Sequence, residues 1–76
     1  MLNPSEKAYC QALLALKDKD YRIASEYFDR AAPEFQTNRE FALYRETTRL
    51  LLAVKQELAV LENEDKLEIE ETFPHG

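Results

Sequence analysis

Three kinds of side chain in this 76-residue sequence could do chemistry: the thiol of Cys10, the imidazole of His75, and the carboxylates of Glu62, Glu64, Asp65, Glu68, Glu70 and Glu71. A thiol becomes a nucleophile or a redox centre when a neighbouring base or cation lowers its pKa. No histidine lies near Cys10 in sequence, and its neighbours follow an apolar helical pattern. It is therefore expected to be a small buried hydrophobe. The competing reading, a redox-sensing thiol, requires Cys10 to be reachable in the native state. His75 stands beside the last residue, and a catalytic or metal-binding role needs neighbours to hold the ring. The acids lack the Asp-x-Asp-x-Asp-Gly loop that wraps a cation, so they read as solvated charge. Gly76 is the only glycine, which leaves no glycine-rich loop to cradle a phosphate. No Ser/His/Asp set can be assembled with an ordered histidine. No catalytic residue, cofactor or metal site is expected, and the chain is not expected to be an enzyme.

The elements that would position any site are helical. One Gly and three Pro in the whole chain favour long helices over a turn-rich β fold. A first helix is expected over Pro4 to Lys17, with Asn3 as N-cap and Pro4 at the first helical position. Tyr9, Ala12, Leu13 and Leu16 form its main apolar stripe, with Cys10 and Leu14 beside it. A second helix is expected to start after Asp20 and to end or kink at about Ala32, because Pro33 removes a donor and disfavours helical geometry before it. Phe35 then falls in a connection and plugs the end of the core. A third helix is expected over residues 38–62, opened by the capping-box pattern Thr37-Asn38-Arg39-Glu40. Leu43, Thr47, Leu50, Val54, Leu58 and Leu61 line its inward face at ~100° per residue, with Tyr44 and Leu51 at the edge. Phe41, Thr48, Leu52 and Ala59 line a nearly opposite side, next to Arg45 and Arg49. Two short helices cover only one side of a long one, so this second line is a candidate contact surface.

The second helix carries the most informative pattern. Tyr21, Ala24, Phe28 and Ala31 follow intervals of 3, 4 and 3 and lie on one side. The small residues admit a close helix neighbour and the aromatics fill the space beside it. With Ala12 on the first helix, twelve positions before Ala24, this set resembles one tetratricopeptide repeat over residues 5–35. The resemblance implies an antiparallel helix pair and a protein-binding role. Where the family places a bulky aromatic, Leu and Tyr on the first helix, this chain has Ala8, Gln11 and Ala15, and Pro33 stands in place of a proline at Gln36. No second repeat follows, so the third helix is expected to cap the pair. The expected fold is all-α: a tetratricopeptide-like helix pair plus a long capping helix, in a three-helix bundle. The arrangement also resembles the three-helix microtubule-interacting-and-transport domain, whose groove takes helical peptides. Family members that hold C-terminal carboxylates use Lys and Asn along the first helix; the positions here are Tyr9 and Leu13, which argues against an acidic C-terminal peptide ligand.

Charge divides the chain. Residues 1–55 carry nine Lys/Arg against eight Asp/Glu, and residues 56–76 carry one Lys against seven acids. Residues 1–62 are read as the helical domain and 63–76 as an acidic, mobile tail, in which adjacent acids repel. Leu67, Ile69 and Phe73 alternate as in an extended strand, so the tail either docks on a groove or only solubilises. A net charge of −5 without a cationic patch makes nucleic acid a poor partner. Apolar runs such as Leu50–Val54 are too short to cross a bilayer, and the first residues lack a signal-peptide core. With a single cysteine, a cytoplasmic setting is expected and a membrane partner is not. The expected function is a non-catalytic protein–protein interaction module that self-associates, as a homodimer, through the third helix at Phe41, Arg45, Arg49, Leu52 and Ala59. The alternative is an assembly subunit whose homo-oligomer is itself the functional unit, with no separate peptide ligand.

Overall fold

The computed structural model describes the backbone of residues 2–72 and the side chains of residues 2–64. Three helices follow one another: α1 (Pro4–Lys17), α2 (Tyr21–Thr37) and α3 (Phe41–Thr72). They pack in chain order, α1 on α2 and α2 on α3. At ~1.5 Å per residue, α1 and α2 are about 21 and 26 Å long, whereas α3 is about 48 Å long.

α1 starts where Asn3 Oδ1 accepts from the Glu6 N–H at 2.9 Å and from the Ser5 hydroxyl at 2.6 Å. This bond lets Ser5 sit buried without an orphaned hydroxyl. Asp20 caps α2, accepting from the Ile23 N–H at 3.3 Å. α2 does not stop at Ala32. It runs through Pro33 to Thr37, and Phe35 is a fully buried helical residue instead of a plug in a loop. The Tyr9 ring explains the difference. It meets Phe28 and Phe35 edge-on, each at 5.9 Å between centroids. Burying Phe35 against it stabilises the extra turn of α2 by about 1.5–3 kcal/mol, which offsets much of the cost of an interior proline. The capping box at Thr37 does not form either. Thr37 still belongs to α2, its hydroxyl donating to the Pro33 carbonyl at 3.0 Å, and α3 begins at Phe41.

The core is a stack of small and aromatic residues. Ala12, Ala24, Phe28 and Ala31 have no exposed surface, and Ala15, Ala32 and Val54 are buried beside them. Tyr9, Leu16, Tyr21, Leu50, Leu51 and Leu58 pack around this cluster half-buried. The alanines remove bulk where helices come closest, and the two phenylalanines fill what remains. Thr47 is buried on α3, its hydroxyl satisfied by the Leu43 carbonyl at 2.6 Å.

Three expected core residues stand outside this core. Leu61 lies on the inward side of α3 yet is 42% exposed, because α2 ends near the level of Val54 and Glu57. Leu13 and Cys10 are exposed because α1 packs mainly against α2 and buries a narrow strip. The expectation of a buried thiol at Cys10 is therefore corrected. The backbone is helical through Thr72, so Leu67 and Ile69 lie on a helix and not on an extended segment. Residues 73–76, including Phe73 and His75, lie outside the described residues.

Candidate interaction surface

Leu52 lies on α3 diametrically opposite the buried side marked by Thr47 and Val54. The helical period of ~3.6 residues puts Phe41, Arg45 and Ala59 on the same outward line, with Arg49 at its edge. All five side chains are exposed, Phe41 by 55% and Leu52 by 58%. The five sequence-derived residues are thus exposed on the outward part of α3. Thr48, on the same line, turns its hydroxyl back to the Tyr44 carbonyl at 2.8 Å and offers its methyl outward.

The polar groups on and beside this face are lightly tied. Arg49 reaches Glu46 within the helix at 3.3 Å, and Lys55 reaches Asp29 of α2 at 3.8 Å. Both pairs are exposed and each contributes less than about 1 kcal/mol. Arg45 and Arg49 occupy the first part of α3 with Glu46 between them, and Glu62 and Glu64 the later part, whereas Glu57 borders the recess shared with Leu16 and Tyr21. The helix therefore carries opposite charge at its two ends.

A second surface was not legible in the sequence. On the side of α1 and α2 away from α3, two adjoining recesses of about 350 and 440 Å³ share Gln11 and Tyr27. Ala8, Leu14 and Ile23 supply apolar walls. The Arg30 guanidinium lies 5.3 Å from the Tyr27 ring centroid, a cation–π contact that holds the ring at the groove floor. The spacing of Ile23 and Tyr27, one turn apart, is the signal that could have found this groove. A smaller recess of about 170 Å³ lies between Leu16, Tyr21, Leu50 and Val54, where α3 starts to outrun its partners.

Among the described residues the remaining candidates bring no constellation together. The Cys10 thiol is exposed on α1. Among the described residues no group of three or more His, Cys, Asp or Glu is placed to hold a metal ion. The side chains of Asp65, Glu68, Glu70 and Glu71 lie outside the described residues. The pKa of Tyr9 is raised: burial raises it most, and the nearby charges of Glu46 and then Cys10 add to the effect. Among the described residues no helix is long and apolar enough to cross a membrane. Comparison with known proteins finds no matching family model, no matching protein and no matching solved structure.

Proposed function

We propose that this chain is a non-catalytic protein-binding module, a tetratricopeptide-like helix pair capped by a long third helix that self-associates through its outer face. The observation that carries this reading is the exposure of Phe41 and Leu52, at 55% and 58%, on the side of α3 that no helix of the chain covers. Isolated exposed apolar residues are ordinary. Here they are aligned with Ala59 on one straight helix and flanked by arginines, which suits a helix–helix contact with a polar rim. A domain of this size also gains stability by pairing, since it buries a small core alone.

The test is the solution mass of the full chain and of Leu52→Asp, measured by light scattering over a range of concentrations. The reading expects an oligomer for the native chain and a folded monomer for the variant, with helical content kept. An unchanged mass in the variant removes the outer face of α3 from the contact.

A further inference from the structure

We infer that the α1–α2 groove of one copy seats the outer face of α3 of a second copy, so that copies join head to tail. The inference rests on the self-association reading above and names the surface that the α3 face meets. Shape comes first. The outer face of α3 is a ridge from which Leu52 projects, 58% exposed. A furrow between two helices grips such a ridge from both sides. The two recesses run end to end along α1 and α2 and meet at Gln11 and Tyr27. Leu14 and Ile23 stand at their walls, both exposed. Seating α3 there covers Leu14, Ile23 and Leu52 in one contact, whereas a pair formed by two α3 faces leaves Leu14 and Ile23 bare. Groove and ridge lie on opposite sides of the molecule, so one copy can use both at once.

Spacing and charge fix the direction. Gln11 and Tyr27 are level on the antiparallel helix pair. Asp18 lies seven residues after Gln11 and Asp20 seven before Tyr27, which sets both aspartates at one end of the groove. Arg45 lies seven residues before Leu52 on α3. Each interval is two helical turns, about 10.5 Å. With Leu52 seated at Gln11 and Tyr27, Arg45 is level with both aspartates when α3 runs parallel to the receiving α2. All three charges are exposed, and none of them is in an ion pair among the described residues. Arg49, already paired with Glu46, is then level with Leu14, and the methyl of Thr48 lies between Leu14 and Ile23. The uncharged Ala59 reaches the far end, and Lys55 stays turned to Asp29 of its own α2. The opposite direction sets Arg49 level with Arg30 beside Lys7, and like charges held close are repulsive. Phe41 overhangs the α1–α2 turn. Successive copies are turned end for end, and a head-to-tail contact that does not close builds an open row.

The experiment uses the full chain and reads mass by sedimentation over a range of concentrations. The native chain is expected to pass two copies as concentration rises. Leu52→Asp spoils the ridge, and Leu14→Asp with Ile23→Asp spoils the groove. All three positions are exposed, so both variants are expected to keep native helical content. Each variant alone is expected to be a single copy. Mixed, they regain one intact contact, the groove of the first with the α3 of the second, and stop at a pair. A groove variant that keeps the native mass overturns the inference, as does a mixture that stays single. A native chain that stops at two copies overturns it too, and leaves self-association through α3 standing. A native chain of single-copy mass at every concentration overturns both readings. Arg45→Asp is expected to weaken association about tenfold, and Asp18→Arg added to it to recover most of that loss. Absence of recovery overturns the direction.

Discussion

Lys19 and Arg39 hold the same left-handed backbone conformation, with φ of 60° and 61°, at equivalent places in the two turns. The bonds around them match. The Lys19 and Arg39 N–H groups donate to the Leu16 and Gln36 carbonyls at 3.0 and 3.1 Å. The next residues, Asp20 and Glu40, each donate back to Ala15 and Phe35 at 2.8 Å. This is the Schellman arrangement, used twice, and it satisfies the last carbonyls of α1 and α2. In both turns the residue after the left-handed position also accepts the first bond of the next helix, from Ala24 and from Tyr44. One short turn therefore reverses the chain and starts the following helix, which is how three helices stack in sequence order.

The left-handed position strongly favours glycine, because any Cβ crowds the neighbouring carbonyl there. Lys19→Gly and Arg39→Gly are each expected to raise the unfolding free energy by about 0.5–1 kcal/mol, after allowing for glycine's greater freedom in the unfolded chain. The two turns lie at opposite ends of α2, so the gains should add. Urea titrations followed by circular dichroism measure this. A loss of stability in either variant would mean that the lysine or arginine side chain contributes something its exposure does not suggest.

Pro33 sits inside α2 and is exposed, with no N–H to offer the Asp29 carbonyl one turn back. Pro33→Ala supplies that donor and relieves the ring's crowding of the previous turn. The expected gain is about 1–2 kcal/mol, smaller than the full cost of an interior proline because the unfolded chain also gains freedom. Thermal and urea melts of the full chain check it. Equal stability would show that α2 has already relaxed around the ring.

The pairing of α1 with α2 was legible because it is written in residue size. Ala12, Ala24 and Ala31 recur at helical spacing beside Phe28, and close helix approach demands that arrangement wherever it occurs. The bounds of α1 followed from local chemistry at Asn3 and Pro4. Local chemistry misled at Pro33 and Thr37 because a tertiary contact, Phe35 on Tyr9, outweighed it. Cys10 was misplaced because apolar neighbours in sequence do not reveal that α1 has a single main neighbour in space. The outward position of Phe41, Leu52 and Ala59 was legible from helix geometry alone. The groove at Tyr27 was not, since it depends on how two helices diverge on their far side.

Tyr9 provides the pH test of the core. Its ring lies between Phe28 and Phe35, and its pKa is raised above the ordinary 10.0, first by burial and then by the Glu46 carboxylate and the Cys10 thiolate. A raised pKa means that the folded state holds the phenolic proton more tightly than the unfolded state does. The resulting stability is fully present below the unfolded pKa and is lost as pH rises through the folded one. Tyr9→Phe cannot ionise, so it should lack this part of the alkaline loss. Unfolding free energies of both chains between about pH 8 and pH 11 give the measurement, because other titrating groups act on both alike. The native chain is expected to lose stability faster than Tyr9→Phe in the upper part of that range. Glu46→Gln should narrow the difference without abolishing it, because burial is the larger cause. A difference between native and Tyr9→Phe that stays constant with pH would place the Tyr9 hydroxyl in open water, with the same pKa in the folded and unfolded chain.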